Sequence, residues 1–135
     1  MMQVYEDHVA ETKPYEMLGY SNTGELLQFL PQKFLRDYVK KKERLGVRSR
    51  GFLPDTQKDQ NYIKQLYRTV KKQSQPQVKY IPVEQFPYKS EITIYANNKV
   101  SIINFSEKGM MGVIIENETI YGMMRMIFEL AWNDR

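Results

Sequence analysis

At 135 residues, 41% of them hydrophobic and 27% charged, the chain has the composition of one soluble domain with a single core. It has no cysteine, which excludes disulfides, thiolate metal sites and a cysteine nucleophile, and no apolar run approaches the roughly 18–20 residues of a membrane-spanning helix. The net charge is +4, and acids at Glu6 and Asp7 stand where a secretory signal would carry bases and an apolar block, so a cytoplasmic location is expected.

Residues 2–12 are expected to form an amphipathic helix with Val4, Tyr5, His8 and Val9 on one side. A short strand over 15–21 is entered through Pro14, and Ser21, Asn22 and Thr23 can each cap a helix starting after them. That helix, over 24–45, sets Leu26, Leu30, Phe34 and Tyr38 at i+4 steps, with Leu27, Leu35 and Val39 alongside. Pro31 should break or kink it near Leu30, and Gly46 ends it where a left-handed residue is wanted. A second strand over 47–53 stops at Pro54-Asp55-Thr56. A third helix over 57–72 carries Tyr62, Ile63, Leu66, Tyr67 and Val70 on one face.

A polar connection over 71–77 leads to a short strand at 78–81, and two prolines within 82–88 predict an extended segment instead of a helix. The β-branched runs 91–96 and 99–105 flank Asn97-Asn98, a pair that suits the positive φ of a two-residue hairpin turn. After a loop over 106–109, a third antiparallel run covers 111–116. The last helix, over 119–133, sets Ile120, Met123, Met124, Ile127, Phe128 and Ala131 at core spacing; Met126 faces elsewhere and suits a subunit contact. Strand-helix-strand-helix-strand demands parallel pairing through crossovers, and the later hairpins extend the same sheet antiparallel. The expected class is α/β, one mixed sheet with helices on both faces.

In open α/β sheets ligands collect outside the carboxyl ends of parallel strands. Ser21, Asn22 and Thr23 after the first strand, and Asp55 and Thr56 after the second, are therefore candidate ligand contacts; the same residue types also serve as plain caps and turns. Lys40, Lys41, Lys42 and Arg44, with Arg48 and Arg50, form one basic cluster, and Arg68, Lys71 and Lys72 another. Such clusters contact phosphate in some proteins and elsewhere are solvated helix ends; here aromatic residues do not interleave with them as single-strand binding requires. His8, the only histidine, reads as a helix-face residue. No Ser-His-Asp set, metal-ligand spacing or phosphate-cradling glycine loop is present, so no cofactor or metal is expected. Phe86, Tyr88 and Tyr95 are expected to pack the sheet against its helices.

Six segments in order carry a resemblance over nearly the whole chain: Thr12-Lys-Pro-Tyr-Glu-Met-Leu-Gly-Tyr20, Glu25-Leu-Leu-Gln-Phe-Leu-Pro31, Leu53-Pro-Asp-Thr56, Phe86-Pro-Tyr-Lys-Ser-Glu-Ile92, Gly112-Val-Ile-Ile-Glu-Asn117 and Met126-Ile-Phe-Glu-Leu-Ala-Trp132. Together they resemble the effector domain of TrmB-type transcriptional regulators, which is similar to half of a phospholipase D fold. The resemblance implies that residues 1–13 end a linker and dimerisation helix, with Val4, Tyr5 and Val9 as its dimer face, and that 14–135 form the effector domain. It implies a homodimer, a small-molecule effector, and DNA contact only through an N-terminal winged helix that this sequence lacks. The family's sugar-binding members carry a further C-terminal segment, which is not found after Arg135.

The phospholipase D superfamily places His-x-Lys-x4-Asp on a hairpin like that of 90–105. Laid over it, the His falls on Ser90, the Lys on Ile92 and the Asp on Asn97. None of these can supply the imidazole nucleophile or the phosphate-holding cation. The resemblance thus implies a non-enzymatic domain that senses a ligand or dimerises, with Ser90, Glu91 and Asn97 as further candidate contacts in a vestigial cleft. A diverged phosphodiesterase using Ser90, and a pure dimerisation module, are the alternatives.

Overall fold

A computed structural model describes residues 2–22, 24, 26, 29–105, 108 and 110–134. Their six strands form one sheet in the order β3-β2-β1-β4-β5-β6. β1 (Glu16–Ser21), β2 (Arg48–Pro54) and β3 (Gln77–Ile81) run parallel. β1 also pairs antiparallel with β4 (Ser90–Tyr95), and β5 (Lys99–Asn104) and β6 (Met111–Glu116) continue antiparallel from there. The expected mixed α/β sheet is thus present.

Strand alternation divides the core. Leu18, Phe52, Ile94 and Val100 project to one face, which α4 (Glu118–Asp134) covers through Tyr121, Met124, Phe128, Ala131 and Trp132. Phe52 stacks on Tyr20 with ring centroids 5.2 Å apart, and Phe128 stacks on Trp132 at 5.6 Å. Arg50 lies over Phe128 and Trp132 while pairing with Glu16 at 3.0 Å and with Glu129. The opposite face is covered by α1 (Met2–His8), α2 (Gln32–Leu45) and α3 (Gln57–Leu66), whose Val4, Tyr5, Leu35 and Tyr62 cluster with Ile103 and Phe105.

Several expectations need correction. Val4 and Tyr5 lie in the core of their own chain, so they form no dimer face; an amphipathic stripe reveals that a helix buries one side, not against what. The first part of the expected 24–45 helix reduces, where described, to one turn in which the Leu26 carbonyl accepts from Phe29 and Leu30. Pro31 then caps α2 in an extended conformation, having no amide to offer the preceding turn. Gly46 closes α2 at φ 81 as expected, donating to the Lys42 and Glu43 carbonyls. Val83–Gln85 makes a single tight helical turn within the segment expected to be extended. The hairpin closes on Tyr95 opposite Lys99, and Ala96, not the asparagine pair, takes the left-handed conformation at φ 54. In α4, Ile120, Met123 and Ile127 are exposed although they sit at core spacing, because the helix is apolar nearly all round and the sheet covers one stripe of it.

Candidate functional site

The sheet surface beneath α2 and α3 is bare of side chains at its centre, between Met17 and Leu53. Gly19 and Gly51 are register neighbours on β1 and β2, flanked there by Ser21 and Ser49. A Cβ on Gly19 would come 3.1 Å from the Ile92 carbonyl oxygen, and one on Gly51 would come 3.2 Å from that of Gly19. Backbone thus forms the floor, and a side chain at either position would crowd the neighbouring strand. Above it stand the long rings of Tyr38, Tyr62 and Tyr67, which hold the helices off the sheet. What remains is a cavity of about 120 Å³, bounded also by Lys42 and Glu91.

The polar groups of this cavity are unusual for an interior. Lys42 belongs to the buried stripe of α2 with Leu35 and Val39 and is only 5% exposed. Its ammonium donates to the Tyr67 hydroxyl at 2.9 Å and lies about 5.5 Å from the Tyr38 ring centre. It takes part in none of the ion pairs among the described residues. The buried Glu91 carboxylate accepts from the Tyr5 hydroxyl at 2.7 Å, from Thr93 at 3.0 Å and from Ser21 at 3.1 Å. Burial raises its pKa, against the opposing pull of those donors and of the Lys42 charge. The Tyr62 hydroxyl is buried with no hydrogen-bond partner among the described residues, and burial raises its pKa, so it stays protonated.

The same wall anchors α1. Tyr5 reaches Glu91, and the fully buried His8 bridges the Tyr38 hydroxyl (Nδ1, 2.9 Å) and Ser101 (Nε2, 2.8 Å). Burial and the nearby Lys42 charge lower the His8 pKa to about 3, so the ring is neutral. Tyr15 donates to the His8 carbonyl. Asp7 accepts from the Tyr95 hydroxyl at 2.6 Å and pairs with Lys99 at 3.2 Å. Glu91 and Tyr38 therefore face the cavity and hold the N-terminal helix at once.

Of the residues expected to contact a ligand, Ser21 and Glu91 meet in this cavity, being register partners on β1 and β4. Asn22 closes the β1–β4 end, its amide bonded to the Ser90 carbonyl and its side chain to that of Tyr88. Thr23 lies outside the described residues. Asp55 accepts from Gln60, and Thr56 caps α3 by accepting from the Asp59 amide; both do local capping chemistry. Ser90 points to the α4 face, into a shallow groove with Tyr20, Phe86 and Tyr88, because its strand neighbour Glu91 takes the other face. Asn97 is exposed beyond the opposite end of β4, about 20 Å from Ser90 at the usual ~3.3 Å rise per residue. The expected cleft uniting Ser90, Glu91 and Asn97 is not formed.

Lys42, Tyr5, Tyr38, Tyr62 and Tyr67 were not expected here. Lys42 sits among exposed bases in sequence, but its i−3 and i−7 neighbours Val39 and Leu35 mark a buried helix stripe. Arg50, grouped with the same bases, instead pairs with two glutamates. Among the described residues, no set of three or more His, Asp or Glu side chains converges as a metal site would, and no helix is long and apolar enough to cross a membrane. Compared with known protein families, characterised proteins and solved structures, the chain matches none.

Proposed function

We propose that the chain is a non-enzymatic, ligand-sensing effector domain of a TrmB-type cytoplasmic transcription regulator, with the cavity beneath α2 as its sensor. The observation that carries this reading is the double use of Glu91 and Tyr38. A molecule that bonds to either one competes with Tyr5 or His8 and so changes the seating of α1. By the resemblance, α1 is the end of the helix leading to the DNA-reading head. A ligand shifts such an equilibrium only by its difference in affinity for the two seatings, and about 1.4 kcal/mol of difference is a tenfold change. DNA would be reached only through a winged helix outside this sequence.

The test is a thermal-shift panel of sugars, nucleotides and organic acids, followed by hydrogen exchange on α1. A specific ligand should raise Tm by mass action, change exchange over residues 2–8, and fail to act on Ser21→Leu, which fills the cavity. A flat panel would reject sensing. The phosphodiesterase alternative rests on Ser90, which faces away from His8 across the sheet. Turnover of a phosphodiester that disappears in Ser90→Ala would establish it and reject the non-enzymatic reading.

Pairing of two copies is the second part of the proposal, moved from the buried stripe of α1 to the open β6 edge and α4. β6 is an edge strand, and Met111 and Val113 on it are exposed, as are Met123, Met126, Ile127 and Leu130 on α4. An open edge is self-complementary in the antiparallel sense, so a two-fold axis beside β6 would continue the sheet and cover α4. Sedimentation should show a dimer that Leu130→Glu dissociates; a monomer at high micromolar concentration would reject this interface.

A further inference from the structure

We propose that the cavity beneath α2 binds a small oxyanion, a carboxylate or phosphate, held by the Lys42 ammonium and the Tyr62 and Tyr67 hydroxyls. This rests on reading the cavity as a ligand site and adds the chemistry of the ligand.

Lys42 carries the case. A buried charge is normally paired, because desolvation costs far more than one neutral hydrogen bond returns. Lys42 lies in the last turn of α2, and Lys40 and Lys41 beside it reach solvent. Its own ammonium turns inward, gives one of its three protons to Tyr67, and closes no ion pair among the described residues; the Glu91 carboxylate on the same cavity attracts it without touching it. The Tyr38 ring offers a cation–π contact at 5.5 Å, which softens desolvation without neutralising the charge.

A second observation points the same way. Tyr62 is 4% exposed and its hydroxyl is unpartnered, yet it lines the same cavity as Lys42. A phenol that keeps its proton is a donor in search of an acceptor, and an oxyanion accepts from several donors at once. A neutral polyol would satisfy Tyr62 and leave the cation with no anion in direct contact. A cationic ligand would meet Lys42 directly.

Glu91 sets the limits. Its carboxylate already accepts from three hydroxyls, so it has little left for the ligand, and its charge opposes more than one added negative charge nearby. The cavity, at about 120 Å³, is well below the roughly 300–1,000 Å³ of pockets for drug-sized molecules. Together these favour a monoanion of a few non-hydrogen atoms over a nucleotide or a sugar phosphate.

The experiment titrates the full chain with acetate, lactate, inorganic phosphate and sulfate at constant ionic strength, with chloride and glycerol as controls, by calorimetry and thermal shift. The carboxylate and phosphate arms tell the two oxyanion classes apart. Saturable binding of one oxyanion but not of chloride or glycerol is expected. Lys42→Met should weaken it at least tenfold, and Tyr62→Phe, which keeps the ring, by roughly tenfold, the size of a lost hydrogen bond to a charged group. If glycerol or another polyol binds and Lys42→Met leaves that affinity unchanged, the oxyanion assignment fails while the sensing function stands. If no anion and no neutral molecule binds, both fail. Should Lys42→Met not fold, Tyr62→Phe decides by itself: undiminished anion affinity in that variant overturns the site.

Discussion

The two faces of this sheet are built on different rules from the same strands. Along β4, Ile92 and Ile94 turn to α4, where they meet Leu18, Phe52, Val100 and Phe128 in a dry, stacked core whose charges sit at the rim. Glu91 and Thr93, one residue out of phase, turn to α1 and α2, where tyrosines and a lysine without an ion pair border a cavity over bare glycines, with a neutral histidine buried behind Tyr38. The first face is what a stability-driven core looks like. The second keeps buried charge and empty volume that apolar side chains could have replaced, and departures of that kind mark functional sites. On the proposed reading, stability belongs to one side and sensing to the other.

The largest effect that bears on this division is expected on the packed side. Phe128 is fully buried between Phe52 and Trp132, and Phe128→Ala should cost about 3–5 kcal/mol, read from the urea midpoint. A cost under about 1 kcal/mol would show that α4 is not the scaffold. On the polar side, His8 makes stability depend on pH. Its pKa falls from the ordinary 6.5 to about 3 in the fold, so below pH 6.5 the unfolded chain takes up a proton that the folded chain refuses. The contribution of His8 is complete above pH 6.5 and is lost as pH falls toward 3, at about 1.4 kcal/mol per unit. Between pH 6.5 and 5 that amounts to roughly 2 kcal/mol. Glu91, with its raised pKa, works in the opposite sense because its protonation relieves a buried charge. Asp7, which burial alone would raise but Tyr95 and Lys99 hold low, adds a loss only in the carboxylate range. Comparing the chain with His8→Gln isolates the histidine; equal slopes over pH 5–6.5 would mean that His8 is solvated.

Smaller and opposite in sign is the effect of Tyr62→Phe without ligand. An unsatisfied buried hydroxyl costs on the order of 1–3 kcal/mol, so its removal should raise stability by about 1 kcal/mol in the denaturant midpoint. A loss of that size would mean that the hydroxyl is bonded in the empty protein and that the two faces differ less than proposed.

Local chemistry made much of this fold readable. Alternation located all three antiparallel strands, Pro31 and Gly46 marked the ends of α2, and the order of elements dictated the mixed sheet. What stayed hidden was non-local or chemically silent. Ser21 meets Glu91 only because β4 lies beside β1, a neighbour relation between segments some seventy residues apart that no short pattern encodes. Lys42 was masked by its place in a basic run, although helical geometry puts it beneath Val39. Ala96 adopts its left-handed backbone without any of the residue types that advertise one. The burial of Val4 and Tyr5 followed from α1 folding back onto β5 and β6, which an amphipathic pattern states only as a face without a partner.

The smallest predicted effect sharpens the contrast between the two ends of β4. Superposing a catalytic motif on the hairpin joined Ser90 to Asn97, but a strand of six residues keeps them about 20 Å apart. Asn97 is exposed in a turn whose strained position belongs to Ala96, and surface changes away from caps and special backbone stay within about 0.5 kcal/mol. Asn97→Ala should therefore leave the urea midpoint and oxyanion affinity unchanged. Glu91→Gln, at the other end of the same strand, should alter both, since it removes the charge that Tyr5 and Ser21 hold. Equal responses from the two variants would erase the distinction between a functional end and an idle one.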